Sequence, residues 1–232
     1  MSDNRSSMIT ALTTIELIDN RPVVVKQRLP LHSQLGSEAS AAARALARAA
    51  TGAEARWLNA ARHGGVVRLR RVSVDAARIE TDLASTATLR LSATNLTDLV
   101  VSLRSAVHTL AAVHGLGLVH GNLGPDHILV SRSDPAATVL CSPAVDTRRL
   151  EPRDDLAALA ATARTLGQAA GPKPWGWDEA LTRLGAATEA RSAIALLDEF
   201  RHRGHRPLRR THRIWCGGWP GRGPRNVSWG QA

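Results

Sequence analysis

The chain has 232 residues, enough for one domain or one compact two-lobed domain with a tail. Apolar residues make up 44% of it, and with no Tyr and a single Phe, Phe200, the core must be aliphatic. The net charge of +10 is unevenly spread: residues 201–232 hold eight Arg and no Asp or Glu, so the body is near neutral, which speaks against a basic face spanning the whole domain.

In chain order, residues 1–10 are polar and expected to be disordered. Residues 13–18 and 22–28 predict two strands around Asp19-Asn20-Arg21, the β-branched run Val23-Val24-Val25 favouring the second. Residues 37–61 are Ala-, Arg- and Leu-rich and predict a helix, interrupted near Thr51-Gly52. Residues 66–74 and 78–83 read as strands, and 89–91 as a short further one. From Leu96 the period changes: Leu96, Leu99, Leu103, Val107, Leu110 and His114 fall on one helical stripe, with Asn95 as N-cap and Gly115 and Gly117 as the stop. A polar loop at 120–127 leads into strands at 128–130 and 138–141. An irregular stretch at 143–153 precedes helices at 154–169, 177–184 and 191–201. Beyond Gly204 the Gly, Pro, Arg and Trp residues have no period, which predicts a disordered tail.

Cys141 and Cys216 make no disulfide framework, the N-terminus shows no signal-peptide pattern, and no run approaches the ~18 apolar residues of a membrane span. The expected location is the cytoplasm. His108 and His114, six apart, do not share a helical ligand face, and no Cys pair supports them, so no metal site is assigned.

The loop Leu118-Val119-His120-Gly121-Asn122-Leu123-Gly124-Pro125-Asp126-His127-Ile128-Leu129-Val130 follows a helix and enters a strand. It resembles the catalytic loop of the protein kinases, with the pattern H-R-D-L-K-P-x-N-I-L; His120, Leu123, Pro125, Ile128 and Leu129 match in register. The resemblance is collinear over about residues 13–200. It implies that Lys26, ending Val-Val-Val-Lys, is the lysine that grips nucleotide phosphates, and that Glu54 is its partner on helix C. It assigns to Asp155 the role of holding the loop backbone and to Arg191 that of a structural arginine. The expected architecture is α+β: a kinase-like two-lobed fold with a reduced N-lobe of strands plus helix C at 11–84, a mainly helical C-lobe at 85–203, lobes meeting near 80–84, and a basic tail at 204–232. The His-Gly-Asn-Leu stretch is also similar to the H-G-D-L loop of small-molecule phosphotransferases such as aminoglycoside and choline kinases. The helix-C spacing and the segment around Asp155 fit the protein kinases better.

Several positions depart from the family pattern. Asn122 stands where the loop carboxylate orients and deprotonates the substrate hydroxyl, Gly124 where a lysine balances charge, and His127 where an amide binds metal. The metal-binding D-F-G position falls near Cys141-Ser142-Pro143, without an acid, and residues 8–17 carry no glycine loop. The expectation is therefore a bacterial-type Ser/Thr kinase-like pseudokinase, a regulatory or binding module for a protein partner. Lys26 and Glu54 leave room for weak ATP binding, and the departures count against Mg²⁺. His120 is expected to be a structural loop residue. One alternative is an active Ser/Thr kinase with an atypical site, Asn122 orienting the hydroxyl and Asp126 or Asp146 supplying a carboxylate. Another is a nucleic-acid-associated protein whose basic tail, with Trp215, Trp219 and Trp229, binds acidic surfaces or single strands.

Overall fold

The computed structural model describes residues 9–30, 37–84, 87–92, 95–131, 133–170, 173 and 176–204. The expected disordered N-terminus up to residue 8 and the basic tail from residue 205 lie outside the described residues.

Strands β1 (Ile9–Ile18) and β2 (Arg21–Pro30) form an antiparallel hairpin. Its two-residue turn, Asp19-Asn20, has both φ angles positive, at 52° and 59°. Asp and Asn tolerate that region best after glycine, and such a turn matches the twist of the flanking strands. Helix α1 (Ser37–Ala60) follows, then β3 (Leu69–Ser73) and β4 (Arg78–Asp82). The four strands make one antiparallel sheet in the order β1-β2-β4-β3. The rest is mainly helical: α2 (Leu89–Ser92), α3 (Leu96–Gly115), the short antiparallel pair β5 (Ile128–Val130) and β6 (Thr138–Leu140), then α4 (Pro152–Ala169), α5 (Trp177–Ala186) and α6 (Ala190–Gly204). The fold is mixed α+β.

Two hydrophobic clusters hold it together. The larger joins α3, α4, α5, α6 and the β5–β6 pair through Leu103, Leu110, Ile128, Leu159, Leu181 and Leu197. The smaller packs Trp57 and Leu58 of α1 against Val66, Val67, Ile79 and Val113. Backbone bonds also tie the sheet-bearing part to the helical part: the Val67 N–H donates to the Leu140 carbonyl at 3.0 Å, and the Leu140 N–H to the Gly65 carbonyl at 2.8 Å. Helix α3 is long and apolar enough to cross a membrane by length and composition, but half of that window is buried in the chain's own core.

Several boundaries differ from the sequence expectation. β1 begins at Ile9, so the last two residues of the expected disordered segment are in the sheet. α1 is not interrupted at Thr51-Gly52. Its buried stripe Ala43, Ala47, Ala50, Glu54 and Leu58 runs through that point, and packing along 24 residues outweighs one glycine, which costs about 1 kcal/mol. Residues 89–91 are helical, not extended, as part of α2. Val66 and Val67 leave the expected strand and pair with Leu140 instead, shortening β3. α4 starts at Pro152, where proline loses no helical bond, and the Asp154 carboxylate accepts the Glu151 N–H at 2.7 Å.

Candidate functional site

Strand alternation puts Val24, Lys26 and Arg28 on one face of β2. On α1, Thr51 and Glu54 lie three residues apart and face that strand. The Lys26 ammonium donates to both Glu54 oxygens, at 3.1 and 3.0 Å, and to the Ser142 hydroxyl at 3.3 Å. The pair expected between Lys26 and Glu54 therefore forms. Glu54 also accepts from the Arg28 guanidinium, which reaches Thr51 Oγ1 at 3.2 Å. Glu54 and Arg28 are buried, whereas Lys26 keeps 18% of its side chain exposed towards a cleft. Arg28 belongs to no motif in the sequence; its signal is the i, i+2 spacing from Lys26, which forces it onto the same face.

The loop at 117–127 is fixed from beneath. Asp155, in the first turn of α4 and fully buried, accepts the backbone N–H of His120 at 2.8 Å and of Gly121 at 2.7 Å, and its Oδ2 also meets His114 Nε2 at 2.9 Å. Gly121 has φ +70°, and a Cβ there would collide with Leu150 and Ala144, so the loop demands glycine. The imidazole of His120 is buried edge-on against Trp57, whose indole N–H donates to the Val119 carbonyl at 2.8 Å. His120 Nδ1 accepts the Asn122 N–H at 3.3 Å, so Nε2 carries the proton and donates to the Cys141 carbonyl at 3.1 Å. Burial pushes the His120 pKa down to about 4, with Asp155 opposing the shift. His120 is thus a neutral structural link between the loop and the segment after β6.

Asn122 lies on the exposed side of the loop. Its side-chain amide donates to the Ser142 carbonyl at 2.9 Å, and its own carbonyl accepts His127 Nδ1 at 2.7 Å. Ser142 adopts φ +57°, which turns its hydroxyl to Lys26. Beside it, the Cys141 thiol is pushed up to about 11 by burial and is inert as a nucleophile at neutral pH. Arg191 stands on α6, next to a separate hollow that also includes His114 and Pro152.

Sheet and helical part together enclose a cleft of about 380 Å³. Ile15, Val24 and Ile79 line it from the sheet, Leu129 and Cys141 from the β5–β6 side, and Lys26, Glu54 and Ser142 form its polar end. Asp82 and Asp126 stand at its edge. Each is already paired, Asp82 with Arg70 at 2.5 Å and Asp126 bidentately with Arg90 at 2.8 Å. The Arg90 guanidinium holds the Asp126 carboxyl below its ordinary range. Asp146, the other carboxylate considered from sequence, does not line the cleft; it is exposed and pairs with Arg148.

The donor set does not fit a hard divalent cation, which asks for several oxygen ligands with carboxylates among them. The hydroxyl of Ser142 is taken up by Lys26, His127 presents nitrogen, and Asp126 is claimed by Arg90. Among the described residues no group of three or more His, Cys, Asp or Glu side chains could hold a metal ion. The rest of the cleft lining is largely aliphatic, with Lys26, Glu54 and Ser142 as its polar end.

No protein-family model matches the chain, and no curated protein shows significant similarity to it.

Proposed function

We propose that this chain is a degenerate member of the protein-kinase fold, with an N-lobe at 11–84 and a C-lobe at 85–203, working as a pseudokinase: a regulatory or binding module in place of a phosphotransferase. One observation carries the reading. The parts that hold a kinase-like site together are made, while the parts that perform its chemistry are replaced. Asp155 grips the backbone of His120 and Gly121, and Lys26 meets Glu54 across β2 and α1. Between these two anchors stand Asn122, exposed on the loop, and Ser142 at the cleft, neither of which can take up a proton as a base or hold Mg²⁺ as a carboxylate. Phosphoryl transfer is mostly positioning and charge neutralisation, so losing base and metal ligands together removes its main contributions.

The role left is to present a shaped surface to a protein partner, in the cytoplasm, with the basic tail at 204–232 as an added contact for acidic surfaces. An active kinase with an atypical site would need Asp126 or Asp146, and both carboxylates are engaged by arginines. The test is transfer of labelled γ-phosphate from ATP to the protein itself and to generic protein substrates, with Mg²⁺ or Mn²⁺. No incorporation above a heat-killed control is expected. Robust metal-dependent incorporation, lost in Lys26→Ala, would replace this reading with that of an active kinase.

A further inference from the structure

We propose that this chain pairs with a second copy of itself through the free edge of β1, antiparallel and centred on Thr13, which joins the two four-stranded sheets into one. The inference is independent of the pseudokinase reading and concerns the outer edge of the sheet. Among the described residues β1 has a neighbouring strand, β2, on one side only. Along the other side every second residue turns its backbone N–H and C=O outward, which is a template for a further strand. Folded monomers blunt such edges with Lys, Pro, bulges or a very short strand. β1 uses none of these: it runs for 10 residues, pairs with β2 without a register shift, and carries no Pro, Gly, Lys or Arg. Its apolar side chains are left in water, with Leu12 53%, Ile15 59% and Leu17 78% exposed.

Charge and register identify the occupant. Glu16 is the only charged residue of β1, and Arg78 already holds its carboxylate at 2.9 Å, so the Arg-rich tail gains no ion pair at this edge. A two-fold axis through the sheet keeps each face on its own side, so odd-numbered residues must oppose odd-numbered ones. Two registers then engage most of the strand, residues 9–17 or 10–18 of each copy. The register centred on Thr14 sets Glu16 against Leu12 and Ile15 against Thr13. The register centred on Thr13 sets Leu17 against Ile9, Ile15 against Ala11 and Glu16 against Thr10. In that second register aliphatic side chains meet each other and the carboxylate meets a hydroxyl. The two copies of Glu16 then stand about 20 Å apart along the seam, well beyond a Debye length of about 8 Å. Residues 9–17 are fewer than the roughly 20–30 residues a side of a standard interface, so the dimer is weak and depends on concentration.

The experiment is sedimentation equilibrium of the full chain from about 1 to 300 µM. A monomer of 24.8 kDa giving way to twice that mass is expected. Thr13→Lys sets two ammonium groups against each other at the centre of the seam and should weaken dimerisation by about tenfold or more, as should Leu17→Lys nearer its end. The register is read by cross-linking in a Cys216→Ser background. Thr13→Cys should oxidise to a covalent dimer, because Cα atoms opposite each other across the seam lie about 4.5–5.5 Å apart, within reach of a disulfide. Thr10→Cys should not, its two copies being about 20 Å apart. Because a lysine on β1 could unfold the hairpin, circular dichroism and melting temperature of each variant are compared with the parent, and the two cysteine variants decide the matter where a lysine variant misfolds. A monomer at every concentration would overturn the inference. So would a dimer that folded Thr13→Lys and Leu17→Lys leave intact, or equal cross-linking from Thr10→Cys and Thr13→Cys.

Discussion

Glu54 sits between two cations, and that arrangement sets how each of the three residues responds to substitution. Removing Glu54 strands the Arg28 guanidinium, which is 6% exposed, without its carboxylate. An uncompensated buried charge costs several kcal/mol, so Glu54→Leu should destabilise the chain by about 3 kcal/mol or more. Removing Lys26 leaves Glu54 still paired with Arg28, and Lys26 is the more exposed partner. Lys26→Met should therefore cost only about 1 kcal/mol. Urea denaturation of both variants gives the comparison, and equal losses would show that Arg28 does not carry Glu54. Lys26 and Glu54 could be matched in the sequence because a family pattern names them. Arg28 could not, because an arginine on an exposed strand and one buried against a helix look alike until α1 is in place.

His120 yields a pH dependence at the same scale. Its folded pKa is about 4, below the ordinary 6.5, because burial penalises the charged ring. The unfolded chain therefore takes up this proton first. The contribution is fully present above about pH 6.5 and is lost as pH falls towards 4, amounting to roughly 3 kcal/mol at most. Stability measured between pH 7 and 4.5 should fall in the parent with a slope that is reduced in His120→Asn. An unchanged slope would mean that other groups carry the acid sensitivity.

Among the elements, α1 shows where local signals gave way to packing. Read alone, Thr51-Gly52 breaks a helix; in the fold, Thr51 is fully buried against Arg28 and the helix continues. A Cβ at Gly52 would meet only the end of the Arg56 side chain, at an ordinary 3.4 Å. Gly52→Ala should accordingly stabilise the protein by about 0.5–1 kcal/mol through helix propensity. Gly65 behaves in the opposite way. A Cβ there would run into Thr109 of α3, so Gly65→Ala should cost about 1–3 kcal/mol by overpacking. Thermal melts of the two variants should move in opposite directions. Other elements were legible because their signals agree. The apolar stripe of α3 and its cap, where Asn95 Oδ1 accepts the Asp98 N–H at 2.8 Å, both point to the same helix. Residues 89–91 read as extended because Leu89-Arg90-Leu91 alternates like a strand and is too short to show a helical period.

At the scale of the molecule, the α+β plan follows from the change of period across residues 89–96, while the cleft between sheet and helices depends on contacts distant in sequence. The Lys26–Ser142 bond joins residues 116 apart, and nothing local announces it. That bond bears on the last prediction, that Asn122→Asp alone will not produce a kinase. A positioned general base contributes typically ~10²–10⁴-fold to such a reaction. The new carboxylate would lose the bond that the Asn122 amide donates to the Ser142 carbonyl, and would face that oxygen at close range. It would still find no carboxylate at Ser142 to hold a metal, and Lys26 would remain occupied by Glu54 and Ser142. Catalytic groups that act as a unit do not return their contributions singly. Labelled-phosphate incorporation by Asn122→Asp should stay at the level of the parent chain with either Mg²⁺ or Mn²⁺. A gain of tenfold or more would mean that this cleft already positions ATP and metal, and that only the base had been missing.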